Sequence, residues 1–383
     1  MPPGVDSVAL NALFLAPGES GGPETYLRGL VPALAHEYPE LRLVLFTTAS
    51  GRRSLAEEGW ESIAELHALP AEEHRRVRRQ TCEQVVLPLL ARRAGAQLLH
   101  SLASIGPVLT PGLPSVVTLH DVTFIRIATF GRVTTWGMTQ VVSRAARDAD
   151  ALIVGSTAAR DEICATLRLM PDSFTVVPHG VGPVPRARPA DEALVRRRLG
   201  LERGRAVACV AAVRPHKNQE LLVRAARLLP DDVVVVLAGH QEPYAERLRE
   251  LAGELAVEDR LRFAGYLSDP EIERLWQLAS CAAFPTRAEG FGLPVLEAMA
   301  RGVPVACSDI AVLRELGGEV PRYFDPGAPD EAAAAVRDSL DDRDRGRRGI
   351  ERAGQFSWSE AARGTMEAYE RALRRARDGR RTA

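Results

Sequence analysis

The sequence predicts an α/β protein made of two doubly wound parallel-sheet domains facing across a cleft. Three observations predict it. Short β-rich runs alternate with helical patterns along all 383 residues, as successive βαβ units require. Those runs are apolar along their whole length, which suits strands covered by helices on both faces. The alternation breaks once, at GVGPVPRARPADE, residues 180–192, a Pro- and Gly-rich stretch without apolar periodicity that reads as an interdomain linker. Each domain is then Rossmann-like. The expected division is 1–182 and 183–356, with a C-terminal helix over 357–383 that could cross back to the first domain and fray at its end.

In the first domain, strand runs fall at 7–16, 41–47, 97–102, 114–120, 151–156 and 174–180. The first leads into a flexible turn containing Gly18, Gly21 and Gly22, and Pro23 suits the first position of the helix that follows. This turn could cover phosphates or receive an acceptor, yet it is neither GxGxxG nor GxxxxGK[ST]. His120 and Asp121 close the run at 114–120. A histidine there could hydrogen-bond a sugar hydroxyl or shuttle a proton. It could equally be incidental to a turn in which Asp121 caps the next segment. HRRVRR, residues 74–79, could touch anionic lipid or a phosphorylated acceptor; a solvated helix face is the simpler reading.

The second domain has strand runs at 206–213, 232–239, 261–266, 281–286 and 302–308. Its most informative stretch is PTRAEGFGLPVLEAMARGVPV, residues 285–305. Pro294 suits a first helical position, where its missing N–H would be unpaired anyway. Gly290 and Gly292 allow close approach to the backbone. The helix start then offers N–H groups and the positive dipole end to an anion. Glu297 is expected in the first turn and Glu289 just outside it, both turned to one ligand. An anion flanked by hydroxyl-binding carboxylates describes a sugar nucleotide; a surface turn with two solvated glutamates is the alternative. Lys217 adds to the site. It is the only lysine among 49 basic residues, and it follows the run at 206–213. A compact point charge on a flexible stem, rather than a planar fork, is implied.

Composition bounds the rest. A net charge of −1 gives no electrostatic case for nucleic acid. The five cysteines are scattered, without CxxC or Cys/His clustering, so neither a metal nor a disulfide framework is expected and a reducing cytoplasm fits. No basic segment precedes the first apolar run, as a secretory signal would need. No run approaches the ~18 apolar residues that span a bilayer.

Together these segments resemble the retaining glycosyltransferases of family 4, which have the GT-B fold. The resemblance covers nearly the whole chain and is strongest over residues 206–326. It rests on EGFGLPVLE, an E-x7-E motif, followed by AMARGVPVACSD. FAGYLSDPEIERLWQLASCAAFPT precedes it, and RPHKNQELLVRA resembles the lysine region of a mannosyltransferase-rich subgroup. GGPETY, LHDVTFIR, VGSTAARDEI and VVPHGV match first-domain loops.

The resemblance implies roles. Lys217 would neutralise the departing diphosphate, with Arg214 and His216 beside it. Glu297 would hold the ribose. Glu289 would hold donor-sugar hydroxyls, so its loss would spare free nucleoside diphosphate. Backbone N–H groups of Phe291, Gly292 and Leu293, with Gly290 in the same turn, would meet phosphates or sugar. The backbone near Tyr266 would meet the base. His120 would contact the donor sugar near the reacting carbon, and Gly21 and Gly22 would approach it from the other domain. Four positions depart from the family pattern: Ala212 and His216 where arginines are usual, His179 where asparagine is usual, and Arg287 where an aromatic or small residue is usual.

The expected activity is metal-independent transfer of a hexose, mannose first among candidates, with retention. The donor would be GDP-mannose or another NDP-hexose and the acceptor a glycan, a lipid-linked sugar or a small molecule. No cofactor is expected, and the location is cytoplasmic with peripheral membrane contact open. Two alternatives stand: a GT-B phosphorylase with pyridoxal phosphate on Lys217, and a catalytically silent sugar-nucleotide-binding partner protein.

Overall fold

The structure is a computed structural model of the chain. It describes residues 4–18, 20–71, 76–126, 132–182, 187–202, 204–241 and 243–381. His74 and Arg75 of the HRRVRR run lie outside these, as do the side chains of Arg76 and Val77.

The chain forms two compact units: residues 1–180 with 357–383, and residues 181–356. The first holds a seven-stranded sheet from β1 (Ser7–Ala12), β2 (Arg42–Thr47), β3 (Glu65–Ala68), β4 (Leu98–Ser101), β5 (Ser115–Thr118), β6 (Ala151–Val154) and β7 (Phe174–Val176). Its order is β3-β2-β1-β4-β5-β6-β7 and every pairing is parallel. β1, β4, β5 and β6 are buried at every residue, which suits their mostly apolar sequences. Helix Gly22–Glu37 lays Tyr26, Leu27, Leu30, Val31 and Leu34 into this core at helical spacing. The helix Trp358–Arg381 contributes Ala361, Ala362, Met366, Tyr369 and Ala372 to the same core. Gly29 permits that docking: a Cβ there would stand 2.0 Å from Trp358 Cε2.

The second unit holds β8 (Arg205–Val210), β9 (Val233–Ala238), β10 (Leu261–Gly265), β11 (Ala279–Phe284), β12 (Val305–Ser308) and β13 (Arg322–Phe324). These make a parallel sheet of order β10-β9-β8-β11-β12-β13. Local signals place its helices. Asp191 Oδ1 accepts from Leu194 N at the start of helix Glu192–Leu199. Ser268 and Glu271 form a capping box at the start of helix Asp269–Leu278.

In each sheet the strand order reverses once, between β1 and β4 and between β8 and β11. The crevice outside the carboxyl ends of strands at such a reversal is where open α/β sheets take ligands.

Candidate functional site

In the second unit two loops leave the carboxyl ends of β8 and β11 at that reversal. The β8 loop runs to a 3₁₀ turn, Pro215–Lys217, and then to Asn218 at φ 57°, ψ 32°. Asparagine tolerates this left-handed conformation better than most residues. Its buried side chain also ties the loop down: Nδ2 donates to Pro285 O and to Pro326 O, each at 2.9 Å. Thr286, just past β11, grips the same loop. Its Oγ1 donates toward His216 O (3.1 Å) and Ala288 O (2.7 Å), while Arg287 N donates to His216 O at 2.8 Å. The backbone carbonyl of His216 is therefore the anchor between the loops.

The result is an ion pair. Lys217 Nζ stands 2.6 Å from Glu289 Oε2, with about a fifth of each side chain exposed (20% and 17%). Both line a pocket whose wall includes Thr286, Gly292, Pro294 and Leu313. Gly292 has φ 98° and forms the N-cap of helix Leu293–Ala300. A Cβ at Gly292 would be strained, 2.7 Å from Leu313 Cδ2 and 3.9 Å from Glu289 Cγ.

This geometry corrects the expected register of the helix. With Gly292 as cap, Leu293 is the first helical residue, Pro294 the second and Glu297 the fifth. Glu297 is thus in the second turn, not the first, partly buried and outside the lining of the Lys217–Glu289 pocket. Arg301 Nη1 donates to its carbonyl at 2.9 Å, and Arg301 is itself fixed by a buried pair with Glu273. Pro23 is corrected likewise: helix Gly22–Glu37 makes it the second residue.

The other expected residues of this unit lie outside that lining. Arg214 caps the 3₁₀ turn, and Arg214 and His216 are partly buried. Ala212 O accepts from Gln219 Nε2 at 2.9 Å. Tyr266 follows β10, is half exposed, and stacks on His240 with ring centroids 5.2 Å apart. Phe291 is buried in the core beneath the turn.

In the first unit, Gly21 has φ 61° and caps helix Gly22–Glu37. Added Cβ atoms at Gly21 or Gly22 would meet nothing within 4 Å, so open space lies above this turn. Glu24 steadies the turn by accepting from Gly18 N at 3.0 Å. β5 stops at Thr118, so His120 lies two residues beyond the strand. His120 Nε2 is 2.9 Å from Leu102 O, and its backbone N donates to Ser104 Oγ at 3.1 Å. Tyr26 packs edge-on to its ring and His179 stands 5.6 Å away. Burial holds both imidazoles below their usual pKa, so both are neutral near pH 7. His179 is buried, stacked on Trp358 and tilted at 46° against Tyr26. Asp121 Oδ1 accepts from Thr123 N at 2.8 Å and so caps the next segment.

Sequence reasoning missed Asn218 and Thr286 as the clamps that bring the two loops together. An asparagine directly after the lone lysine was the available signal, because that residue type accepts a left-handed turn.

Two parallel-sheet Rossmann-like units, each with loops at the reversal of strand order, constitute the GT-B architecture. The sequence model of Glycosyltransferase Family 4 matches residues 20–183 and that of Glycosyl transferases group 1 matches residues 191–356. The MMP alpha-(1->4)-mannosyltransferase of Mycolicibacterium hassiacum is 31% identical over 75% of this chain and 73% of its own length. The O-antigen chain mannosyltransferase B of Escherichia coli is 34% identical over 42% of this chain, and the match spans only 44% of that protein. Among solved structures, Anabaena HepE in complex with UDP and glucose superposes with a TM-score of 0.74 at 20% identity, over 95% of this chain and 99% of that one. The chain belongs to glycosyltransferase family 4.

Proposed function

We propose that this protein transfers a hexose, mannose, from a nucleoside diphosphate sugar to an acceptor hydroxyl with retention at the anomeric carbon. One observation carries the reading: Lys217 and Glu289 converge beside the Gly292 turn at the sheet reversal of the second unit. A cation and a helix start suit a diphosphate, and a carboxylate beside them suits sugar hydroxyls. Mannosyltransferases among the relatives support the choice of sugar.

In this reading Lys217 and the N–H groups at the start of helix Leu293–Ala300 meet negative charge as it develops on the leaving phosphate oxygen. Preorganised donors of this kind are the main source of rate enhancement in such sites. Glu297 holds the ribose and Glu289 the donor sugar. His120, neutral at pH 7, accepts from a sugar hydroxyl through Nδ1 when Nε2 donates to Leu102 O. The open space above Gly21 and Gly22 admits the donor or acceptor close to the backbone.

The test is a thermal-shift screen with GDP, UDP and ADP, followed by transfer assays with GDP-mannose and UDP-glucose. A nucleotide at a hundred times its dissociation constant adds roughly 2.7 kcal/mol of stability. A chain that no nucleoside diphosphate stabilises, and that transfers sugar from neither donor, is not this enzyme.

A further inference from the structure

Lys217 and Glu289 occupy each other. Neither contacts another charged side chain at ion-pair distance among the described residues, and their 2.6 Å bond spans the pocket wall where a diphosphate would bind. Hydrogen bonds tie the two loops to each other on either side of this contact. Asn218 binds the β8 loop to Pro285 and Pro326, and Thr286 and Arg287 bind the β11 loop to His216. Glu289 also lies against Gly292, where the backbone leaves no side chain in the way.

Resting on the proposed donor chemistry, we infer that this ion pair is exchanged when the donor binds, and that the exchange lets the site tell a sugar nucleotide from its nucleoside diphosphate product. The cause is electrostatic. A diphosphate needs the Lys217 ammonium, which must leave Glu289 or share itself. Glu289 then stands beside phosphate charge with its own counter-charge gone. Like charges that are partly withdrawn from water repel strongly. A donor with its sugar attached relieves this, because sugar hydroxyls donate to the released carboxylate. Free nucleoside diphosphate has no hexose hydroxyl to offer there and leaves Glu289 uncompensated. The carboxylate therefore favours the donor and expels the product, two tasks beyond holding the sugar.

Glu289→Gln separates this role from simple contact. Glutamine keeps the shape and removes the charge. Calorimetric titration of wild type and Glu289→Gln uses the best-binding nucleoside diphosphate of GDP, UDP and ADP, and its hexose conjugate. Removing the carboxylate should tighten free nucleoside diphosphate roughly tenfold, the weight of one charged hydrogen bond, while the sugar nucleotide binds no better or worse. The two ligands thus move apart in a way that general destabilisation cannot mimic. Equal changes for both ligands, or weaker binding of the free diphosphate, overturn the exchange while leaving the donor site intact. Failure of wild type to bind any of the three diphosphates overturns both readings. A second readout uses the lone lysine. Protein grown on ¹⁵N-lysine gives one side-chain ammonium resonance, which should move in ligand-free Glu289→Gln; an unmoved resonance refutes the ion pair itself.

Discussion

Asn218 Nδ2 lies 2.9 Å from the carbonyl oxygen of Pro285, joining the loop after β8 to the end of β11. Through that bond the position of Lys217 depends on its neighbour. Asn218→Ala removes the clamp, leaves two carbonyls without their donor, and strains a residue at positive φ. The expected cost is about 1–3 kcal/mol of stability. Turnover should fall further than donor affinity, because a displaced Lys217 misses charge that appears only in the transition state. Asn218→Gly relieves the backbone but not the clamp, so it should recover stability in part without recovering kcat. Chemical unfolding and initial rates measure both.

Lys217→Ala should lower turnover by roughly 10²–10³ with the fold intact. Arginine should rescue poorly, because its planar fork cannot reproduce a point charge in the space shared with Glu289. Activity within a few-fold of wild type, in protein with an unchanged melting temperature, removes Lys217 from the mechanism.

Glu297→Ala should weaken free nucleoside diphosphate and sugar nucleotide by a similar factor, since both carry the ribose. A charged hydrogen bond of about 1.5–3 kcal/mol sets the scale. Equal losses in calorimetry support the ribose role. A loss confined to the sugar nucleotide assigns Glu297 to the sugar instead.

Two buried groups of the first unit should give opposite pH dependences. His100 bonds Tyr369 and Thr118, and burial lowers its pKa to about 3. Between pH 6.5 and 3 the unfolded chain binds the extra proton, so its contribution to stability is lost as pH falls. Burial raises Glu83, which accepts from Asn11, to about 7 from an ordinary 4.5. Between those values the folded chain binds the proton, so stability is lost as pH rises. Glu83→Gln removes only the second effect. Its stability relative to wild type should therefore climb from pH 5 to pH 8 by about 1 kcal/mol or more. Urea unfolding at both pH values reads the difference, and a constant offset contradicts it.

Turnover should survive excess EDTA. Among the described residues no group of three or more His, Cys, Asp or Glu side chains could hold a metal ion. Inactivation by chelator with recovery on Mg²⁺ or Mn²⁺ would show otherwise.

The long apolar runs made the central strands legible, because a strand buried on both faces leaves a mark that depends on no partner. β3 and β13 left none. β3, the sequence ELHA, is largely exposed at a sheet edge, and β13 is only three residues long. Each is a strand because a neighbour offers it a hydrogen-bonding edge. The site divides the same way. Glu289, Lys217 and the glycines were visible as unusual residue types at the ends of strand runs. The register of Glu297 was not, because Gly292 at φ 98° moved the helix start by a residue. Nor was the reach of Asn218 to Pro326, 108 positions away, which only the folded sheet brings together.

The helix Trp358–Arg381 completes the core of the unit that the first 180 residues began. This has a consequence for synthesis on the ribosome. Residues 181–356 are contiguous, and Val181 N donates to Phe356 O, so that unit closes on itself at its two ends. It can fold as soon as it emerges. The unit translated first must wait, its groove for Trp358 and Tyr369 exposed, until the helix Trp358–Arg381 leaves the exit tunnel. The order of birth and the order of completion are therefore reversed. Truncation after Phe356 should damage residues 1–180 rather than the contiguous unit 181–356.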